Sequence, residues 1–162
     1  MVSAMQLDER SFLIRAVDLA EAAVEAGDEP FGSVLVSPDG EVLFEDHNHV
    51  AGGDHTQHPE FNIARWAAQN LSPEVRAECV VYTSGEHCPM CAAAHGWVGL
   101  GRIVYAASSE QLMQWLPELG LRPGPVAPLP INAVVPDVPV EGPDEELSQR
   151  VFELHRRRVT GG

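Results

Sequence analysis

Apolar residues near the start of the chain recur at the spacing of a helix face. Their positions, three or four residues apart, predict an amphipathic helix over residues 8–26, with these residues on its apolar side: Leu13, Val17, Ala20 and Val24. Asp8 is placed to cap the start of this helix and Gly27 to end it. We therefore expect the chain to open with one long helix.

Short runs rich in β-branched residues follow, and these favour strands. Residues 33–37 and 41–45 flank a Pro-Asp-Gly turn, which predicts a hairpin. Two later runs, residues 79–83 and 102–106, predict buried strands, with Cys79 inside the first of them. Residues 131–135 are the candidate for a fifth strand.

Helical segments alternate with these strands. A polar, Gly-rich loop is expected over residues 47–57, and Pro73 starts a short connection. Helices are predicted over four segments: 59–70, 89–98, 109–116 and 144–158. This order implies an α/β fold, a three-layer α/β/α sandwich with a mixed five-stranded sheet. Right-handed crossovers would make the strands over 79–83 and 102–106 parallel.

Prolines are concentrated late in the chain, where eight of the 13 lie within residues 117–143. This stretch predicts extended chain lying over a surface rather than regular helix. The final helix has one apolar face, formed by Leu147, Val151 and Leu154. Arginines 156–158 are the one basic cluster, and we interpret them as a solvated helix end whose cations offset the helix dipole.

The formal net charge is −14, and all ten basic residues are arginine. The lack of lysine excludes Schiff-base chemistry, and the acidity makes a nucleic-acid partner unlikely, since such binding depends on neutralising phosphates. No apolar run approaches the ~20 residues that span a bilayer, and the start of the chain lacks a signal-peptide pattern. We expect a cytoplasmic protein. The odd count of three cysteines argues against a disulfide framework.

The strongest chemical signal is a pair of motifs, each at a predicted helix start. His58-Pro59-Glu60 opens one helix, and Cys88-Pro89-Met90-Cys91 opens the next αβ unit. Proline is favoured at the first helical position. One imidazole and two thiolates supply three zinc ligands, and catalytic zinc sites leave the fourth position open for water. With Glu60 close enough to handle that water's protons, this is the signature of a zinc deaminase.

The same residues allow other interpretations. The two cysteines alone would also suit a redox pair. A structural zinc site would need a fourth ligand, and His87 and His55 are the candidates. A non-catalytic zinc or redox module is therefore the alternative from another functional class.

The chain resembles the cytidine and deoxycytidylate-type zinc deaminase superfamily over residues 8–116. It looks closest to the branch of guanine deaminases, tRNA adenosine deaminases and fungal cytosine deaminases, through these segments: PFGSVLV, Asn48 in its loop, HPE, YTSGEHCPMC and GRIVYAA. The resemblance implies a zinc deaminase core over residues 1–116. Residues 117–162 would be a Pro-rich extension and terminal helix of the same domain.

Site roles follow from this resemblance. It implies that His58, Cys88 and Cys91 bind Zn²⁺, while Glu60 passes protons from the metal-activated water to the ring and the leaving amine. Asn48 would bind the base or sugar, although its alternative role is to form a turn in the Gly-rich loop. Further substrate contacts are expected from four side chains that would otherwise be structural: Phe31, Glu86, His87 and Trp97.

Two residues depart from the family pattern. Pro59 replaces the usual alanine, so the backbone N–H that often donates to the base is absent. His87 replaces the proline that normally precedes the first cysteine. Together they indicate a changed pocket, and substrate specificity cannot be copied from relatives.

These observations predict a deaminase that acts on a free nucleobase or a related amino-heterocycle and releases ammonia. Guanine-like purines are expected first, with cytosine or s-triazine rings next. The alternative within the same fold is a tRNA adenosine deaminase, which the acidity of the chain disfavours. We also expect a homodimer, in which residues 117–158 cover or complete a pocket of their own chain or of the partner.

Overall fold

One five-stranded mixed sheet forms the centre of the protein in a computed structural model that describes residues 7–161. The strands, in chain order, are β1 (Gly32–Val36), β2 (Val42–His47), β3 (Val80–Gly85), β4 (Ile103–Ala107) and β5 (Val140–Glu141). Their spatial order is β2-β1-β3-β4-β5. β1 is antiparallel to β2 and β3, whereas β3, β4 and β5 are parallel. The predicted hairpin and the predicted parallel pair are both confirmed.

Helices cover both faces of this sheet. They are α1 (Leu7–Glu25), α2 (Pro59–Asn70), α3 (Pro73–Glu78), α4 (Pro89–Val98), α5 (Ser109–Glu118), α6 (Ile131–Val134) and α7 (Glu145–Thr160). The pair α1 and α7 shares one core with the sheet, and α2 and α4 pack on the opposite face. The three-layer α/β/α sandwich is thus confirmed.

The alternation of side chains along the strands explains the two cores. Val34 and Val36 contribute to the cluster with α1, while Leu35 between them belongs to the cluster with α2. In β3, Tyr82 and Val81 divide in the same way. Because successive strand residues point to opposite faces, a strand buried on both sides is apolar throughout.

The Pro-rich region differs from its prediction. Residues 131–135 do not form a strand: Ile131–Val134 is a single helical turn, with Ile131 fully buried. The fifth strand is Val140–Glu141, which pairs with β4. Regular helix also extends further than predicted, because Pro117 lies inside the last turn of α5.

The connection after α2 is also more ordered than predicted. It contains α3, which Ser72 caps by accepting a hydrogen bond from the Val75 N–H. Cys79 is fully buried as predicted, but it lies one residue before β3 begins.

Most of the predictions for the first and last helices, α1 and α7, are confirmed. α1 begins at Leu7, and the capping assigned to the Asp8 side chain falls outside the described residues. Gly27, with a φ of 88°, ends the helix. The basic end of α7 is not merely solvated: Arg157 pairs with Glu21 at 3.1 Å, and Arg158 donates to the carbonyl of Asp28. These arginines fasten α7 to α1.

No helix within residues 7–161 combines the length and apolar character needed to cross a membrane.

Candidate active site

The metal-ligand motifs meet where two helices begin. His58 is the N-cap of α2 and Cys88 the N-cap of α4, and a proline occupies the first helical position of each. The two helices pack against each other on one face of the sheet. Because Cys91 lies one turn into α4, it points to the same place as Cys88.

The three ligand atoms form a compact triangle. The Nδ1 atom of His58 lies 3.6 Å from the sulfur of Cys88 and 3.5 Å from that of Cys91, and the two sulfurs are 3.6 Å apart. Zinc bonds of about 2.3 Å to sulfur and 2.0–2.1 Å to nitrogen give tetrahedral edges of about 3.8 Å and 3.5 Å. The donor set and its spacing therefore fit a zinc ion.

No fourth His, Cys, Asp or Glu joins this triangle among residues 7–161. His55 is exposed, and His87, although buried, is not part of the cluster. The geometry thus lacks the fourth protein ligand that a structural zinc site needs, and it leaves one coordination position for a small molecule.

Glu60 is the polar group next to this triangle. It is 5% exposed, and its Oε1 atom has no hydrogen-bond partner in the described part of the chain. Burial raises the pKa of its carboxyl to about 7. An unpaired buried carboxylate oxygen is costly unless a ligand or water uses it, so this atom marks a functional site.

The ligands influence one another's protonation. Contact with Cys91 and His58 lowers the pKa of the Cys88 thiol to about 4, whereas the same sulfur contact raises that of Cys91. Contact with Cys88 raises the pKa of His58 to about 9. Cys88 therefore carries thiolate character, the form in which cysteine binds metal.

A small cavity opens beside the ligands. Its volume is about 130 Å³, below the ~300–1,000 Å³ usual for drug-sized ligands. His58, Glu60 and Cys88 form one side of it, while the other walls come from these residues: Phe31, Glu86, Pro89, Ser109, Leu112, Met113, Val126, Ala127 and Pro128. The segment between α5 and α6, residues 119–130, which we call the covering segment, thus supplies part of the wall from the same chain.

Phe31 presents its ring to this cavity and is held from two sides. Its ring stands edge to face with His155, with centroids 5.4 Å apart. On the other side it approaches Gly85 so closely that an added Cβ would lie 3.1 Å from the ring. The position of the ring is therefore fixed before any substrate binds.

Glu86 also borders the cavity, but both of its carboxylate oxygens have partners. Oε1 accepts from the N–H of Ser109 at the start of α5, and Oε2 accepts from the N–H of Ile131 at the start of α6, each at 2.9 Å. In this structure Glu86 ties together the starts of α5 and α6, the two helices that the covering segment connects.

Asn48 is buried, and its side-chain oxygen accepts from the backbone N–H groups of Glu29 and Val50. Its amide nitrogen lies 3.5 Å from the Glu29 carboxylate. The Asn48 side chain thus organises the loop, which was the alternative role given to it.

Three predicted substrate contacts, Asn48, His87 and Trp97, are not among the residues that line the cavity. His87 is fully buried, packs edge to face against His95, and is not among the lining residues. Trp97 is 90% exposed at the end of α4. Trp66, on α2, is partly buried and stacks on Phe44.

The sequence pattern does not reveal the lining residues from α5 and the covering segment, such as Leu112, Met113 and Val126. The run of prolines indicated chain lying over a surface. It gave no indication of which residues would face the cavity.

Known proteins match both the sequence and the fold. Residues 6–107 match the cytidine and deoxycytidylate deaminase zinc-binding region. The chain is 32% identical to a probable cytosine deaminase of Schizosaccharomyces pombe over 82% of its length and 79% of that protein. It is 40% identical to a guanine deaminase of Bacillus subtilis over 62% of its length and 65% of that protein.

Solved structures agree with these matches. A Bacillus subtilis guanine deaminase superposes with a TM-score of 0.56 at 31% identity, covering 75% of this chain and 82% of that one. A guanine deaminase from Nitrosomonas europaea gives a TM-score of 0.71 over 98% of this chain and 87% of that one; at 18% identity it supports the fold alone. The sequence match, the shared fold and the His-Cys-Cys triangle beside Glu60 agree: the chain belongs to the cytidine and deoxycytidylate deaminase family.

Proposed function

We propose that this protein is a zinc-dependent hydrolytic deaminase of a free nucleobase or a related amino-heterocycle. Guanine-like purines are the first candidates, and cytosine or s-triazine rings come next. One observation carries the proposal: the buried Oε1 of Glu60, which has no partner among the described residues, lies beside a three-ligand metal triangle and a small cavity. Hydrolytic deamination needs those elements together.

His58, Cys88 and Cys91 would hold the zinc ion. When bound, zinc supplies Lewis-acid chemistry that acidifies water at neutral pH. The protein contributes the orientation of these ligands, because His58 begins α2 and Cys88 begins α4, and these two helices pack against each other.

Glu60 would act as the general acid and base. Its free Oε1 accepts a proton from the attacking water and delivers it to a ring nitrogen of the substrate. Its carboxylate would then take the proton of the hydroxyl group that has added to the ring carbon and pass it to the amino group, so that the C–N bond breaks, ammonia leaves and the ring carbon becomes a carbonyl. Burial from solvent keeps this proton transfer within the site.

The walls of the cavity favour a small planar ring without a sugar. Phe31 offers an aromatic face, and Leu112, Met113 and Val126 are apolar. The covering segment narrows the site with Val126, Ala127 and Pro128, which leaves less room for a ribose or a nucleic-acid strand. The volume of about 130 Å³ also supports one flat heterocycle as substrate, either a single ring or the two fused rings of a purine.

The choice among ring classes rests on likeness to relatives. The proteins that resemble this chain include a guanine deaminase and a probable cytosine deaminase, which supports both purine and pyrimidine bases. Pro59 cannot donate a backbone hydrogen bond to the base, so the pattern of ring acceptors that this site prefers should differ from that of relatives with alanine there.

A tRNA adenosine deaminase is the second candidate, because a protein of that name from Agrobacterium fabrum is 34% identical over 62% of the chain. The net charge of −14 and the covering segment weigh against an anionic stem-loop at this site.

The test is ammonia release from the zinc-loaded chain with guanine, adenine, cytosine, their nucleosides, ammeline-type triazines and tRNA. We expect turnover of at least one free base and little turnover of nucleosides. Glu60→Gln should lower kcat at least 10³-fold with zinc content unchanged, because it removes the proton acceptor.

Glu74→Gln is the matched control, since Glu74 is also the second residue of a helix that begins with proline but is exposed on α3. It should leave kcat unchanged. Deamination of tRNA with no turnover of any base would favour the second candidate. Equal activity of the Glu60→Gln variant and the unaltered chain would refute the catalytic role.

A further inference from the structure

A second group of metal-ligand side chains lies outside the zinc motif. Asp28 is in the turn between α1 and β1, His47 ends β2, and His49 is in the loop that follows. One potential ligand atom from each residue lies within 4.8 Å of the others. None of the three takes part in the deamination chemistry proposed above.

The two imidazoles are oriented as metal ligands usually are. The Nδ1 of His47 lies 2.7 Å from the carbonyl oxygen of Asn48, and the Nε2 of His49 lies 2.9 Å from the carboxylate of Asp46. Both acceptors require an N–H on the facing ring nitrogen. The other nitrogen of each ring, Nε2 of His47 and Nδ1 of His49, is then left with a free lone pair. Metal-bound histidines are typically held by such a hydrogen bond to a carbonyl or carboxylate.

The supports of these ligands are themselves fixed. The second oxygen of Asp46 accepts from Asn62 on α2 at 2.9 Å. Asp28 is 5% exposed, and its Oδ1 accepts from the N–H of Ala51. Its backbone is held at both polar atoms, since its N–H donates to Ala23 and its carbonyl accepts from Arg158. The carboxylate is thereby kept in place.

The three groups do not satisfy one another. Over residues 7–161, no hydrogen bond joins the Asp28 carboxylate to either ring or one ring to the other. The rings of His47 and His49 lie side by side, with centroids 4.3 Å apart. One potential ligand atom of each residue lies within 4.8 Å of the other two, so the three groups border a common space.

We propose that Asp28, His47 and His49 form a second metal site, which takes a borderline divalent transition-metal ion such as Zn²⁺ or Co²⁺. Two imidazoles and a carboxylate suit such ions, whereas Mg²⁺ and Ca²⁺ prefer oxygen ligands throughout. Bonds of about 2.1 Å place the ligands of one ion about 3–3.5 Å apart. His49, whose side chain is 48% exposed, can pivot about its hydrogen bond to Asp46 to close the remaining distance.

The ion would join the turn before β1 to the loop after β2. Phe31 and Asn48, both expected from the sequence to contact the substrate, belong to these two segments. The N–H of Asn48 already donates to the carbonyl of Phe31. Metal bound at this position would make that junction more rigid.

The test is metal titration of the full chain after chelator treatment, with Zn²⁺ followed by calorimetry and Co²⁺ by absorbance. Cobalt at the Cys88–Cys91 site gives intense thiolate bands, so this site is counted separately from one with only nitrogen and oxygen ligands. We expect two Zn²⁺ per chain, and a second Co²⁺ equivalent that adds no thiolate band.

His49→Gln and Asp28→Asn should each weaken the second equivalent at least tenfold and leave the thiolate bands unchanged. His55→Gln, which alters an exposed histidine of the same loop, should keep both equivalents. The proposal is overturned if the unaltered chain binds only one Zn²⁺ in calorimetry, and only one Co²⁺, with full thiolate bands, in absorbance. It is equally overturned if the second equivalent persists with the same affinity in His49→Gln and Asp28→Asn.

Discussion

The imidazoles of His87 and His95 are both buried, and they stand edge to face with centroids 5.4 Å apart. Only one of them has a partner. The Nε2 of His95 lies 2.7 Å from the carbonyl of Gly101, whereas neither nitrogen of His87 has a hydrogen-bond partner among the described residues. Burial lowers the pKa of both groups, so both are neutral near pH 7. The family's usual proline would avoid this cost at position 87.

This difference predicts that replacing each histidine by leucine changes the free energy of unfolding in opposite directions. His87→Leu removes two unsatisfied polar atoms and should raise the free energy of unfolding by about 1 kcal/mol. His95→Leu leaves the Gly101 carbonyl without its donor and should lower it by about 2 kcal/mol. Urea denaturation at pH 7.5 with saturating zinc compares the two. A loss of stability of similar size in both variants would contradict the conclusion that His95 has a hydrogen-bond partner and that His87 has none in the described part of the chain.

Glu86 borders the cavity and also has a structural role that its sequence context does not predict. The resemblance suggested a substrate contact, but its two oxygens accept from the N–H groups that begin α5 and α6. The sequence could not reveal this, because the acceptor and its two donors are 23 and 45 residues apart along the chain. The metal ligands, by contrast, were predictable, since each motif specifies its own helix start through the proline that follows the ligand.

At the scale of elements, Glu86 joins the start of α5 to the start of α6, which immediately follows the covering segment. A carboxylate can accept from both N–H groups, but the amide of Glu86→Gln has a single oxygen and must turn its NH₂ toward one of the donors. Losing a charge-assisted hydrogen bond costs about 1.5–3 kcal/mol. We therefore expect the amides of α6 to exchange with solvent deuterium at least tenfold faster in this variant.

Hydrogen exchange followed by mass spectrometry measures this effect by segment. Peptides from β1 serve as the internal reference and should keep their protection. Glu110→Gln, which changes an exposed glutamate in the first turn of α5, is the matched control. Unchanged exchange of α6 in Glu86→Gln would show that the carboxylate does not hold this segment.

The elements themselves show which parts of the fold the sequence could specify. α1, α2, α4, α7 and the hairpin were predicted because their period, proline starts and turn residues are local signals. The fifth strand was assigned wrongly to residues 131–135. Short apolar runs do not distinguish a strand from a helical turn, and here Glu86 binds the Ile131 N–H at a helix start. β5 has only two residues, and its pairing with β4 depends on contacts distant in sequence.

For the whole molecule, the exposed Trp97 supports the expected homodimer. Its side chain is 90% exposed on α4, the helix that carries both cysteines. A large aromatic ring left in water is typical of an interface. Trp97→Glu should shift a dimer toward the monomer in light scattering at micromolar concentration. Val75→Glu, at another exposed apolar position, should not change the mass; a wild-type monomer would refute the dimer.

The stability of the whole molecule should also depend on pH through His155. This imidazole lies on α7 against Phe31 and Trp115 and is 6% exposed. Burial, with a smaller effect from the positive charge of Arg158, lowers its pKa to about 4. His155 and Glu86 both line a second, smaller cavity next to Phe31, but the carboxylate oxygens of Glu86 are already bound by backbone N–H groups.

The sign of the pH dependence follows from proton binding. Between pH 6.5, where the unfolded imidazole titrates, and about pH 4, the unfolded chain binds the proton and the folded chain does not. Stability therefore falls as pH decreases through this window and is unaffected by His155 above it. From pH 7 to pH 5 the loss from this group is about 2 kcal/mol.

His155→Gln removes the titrating group and should reduce the loss of stability between pH 7 and pH 5 by about that 2 kcal/mol, even if the variant is less stable at pH 7. The measurement is urea denaturation at several pH values with the same zinc concentration. His55→Gln, at an exposed histidine, should keep the full pH dependence of the unaltered chain. Because His87, His95 and the metal ligands are present in every variant, their contributions cancel in the comparison. Parallel stability curves for His155→Gln and the unaltered chain would mean that His155 can accept a proton in the folded protein, and α7 would then not be packed as tightly against Phe31 as the structure shows.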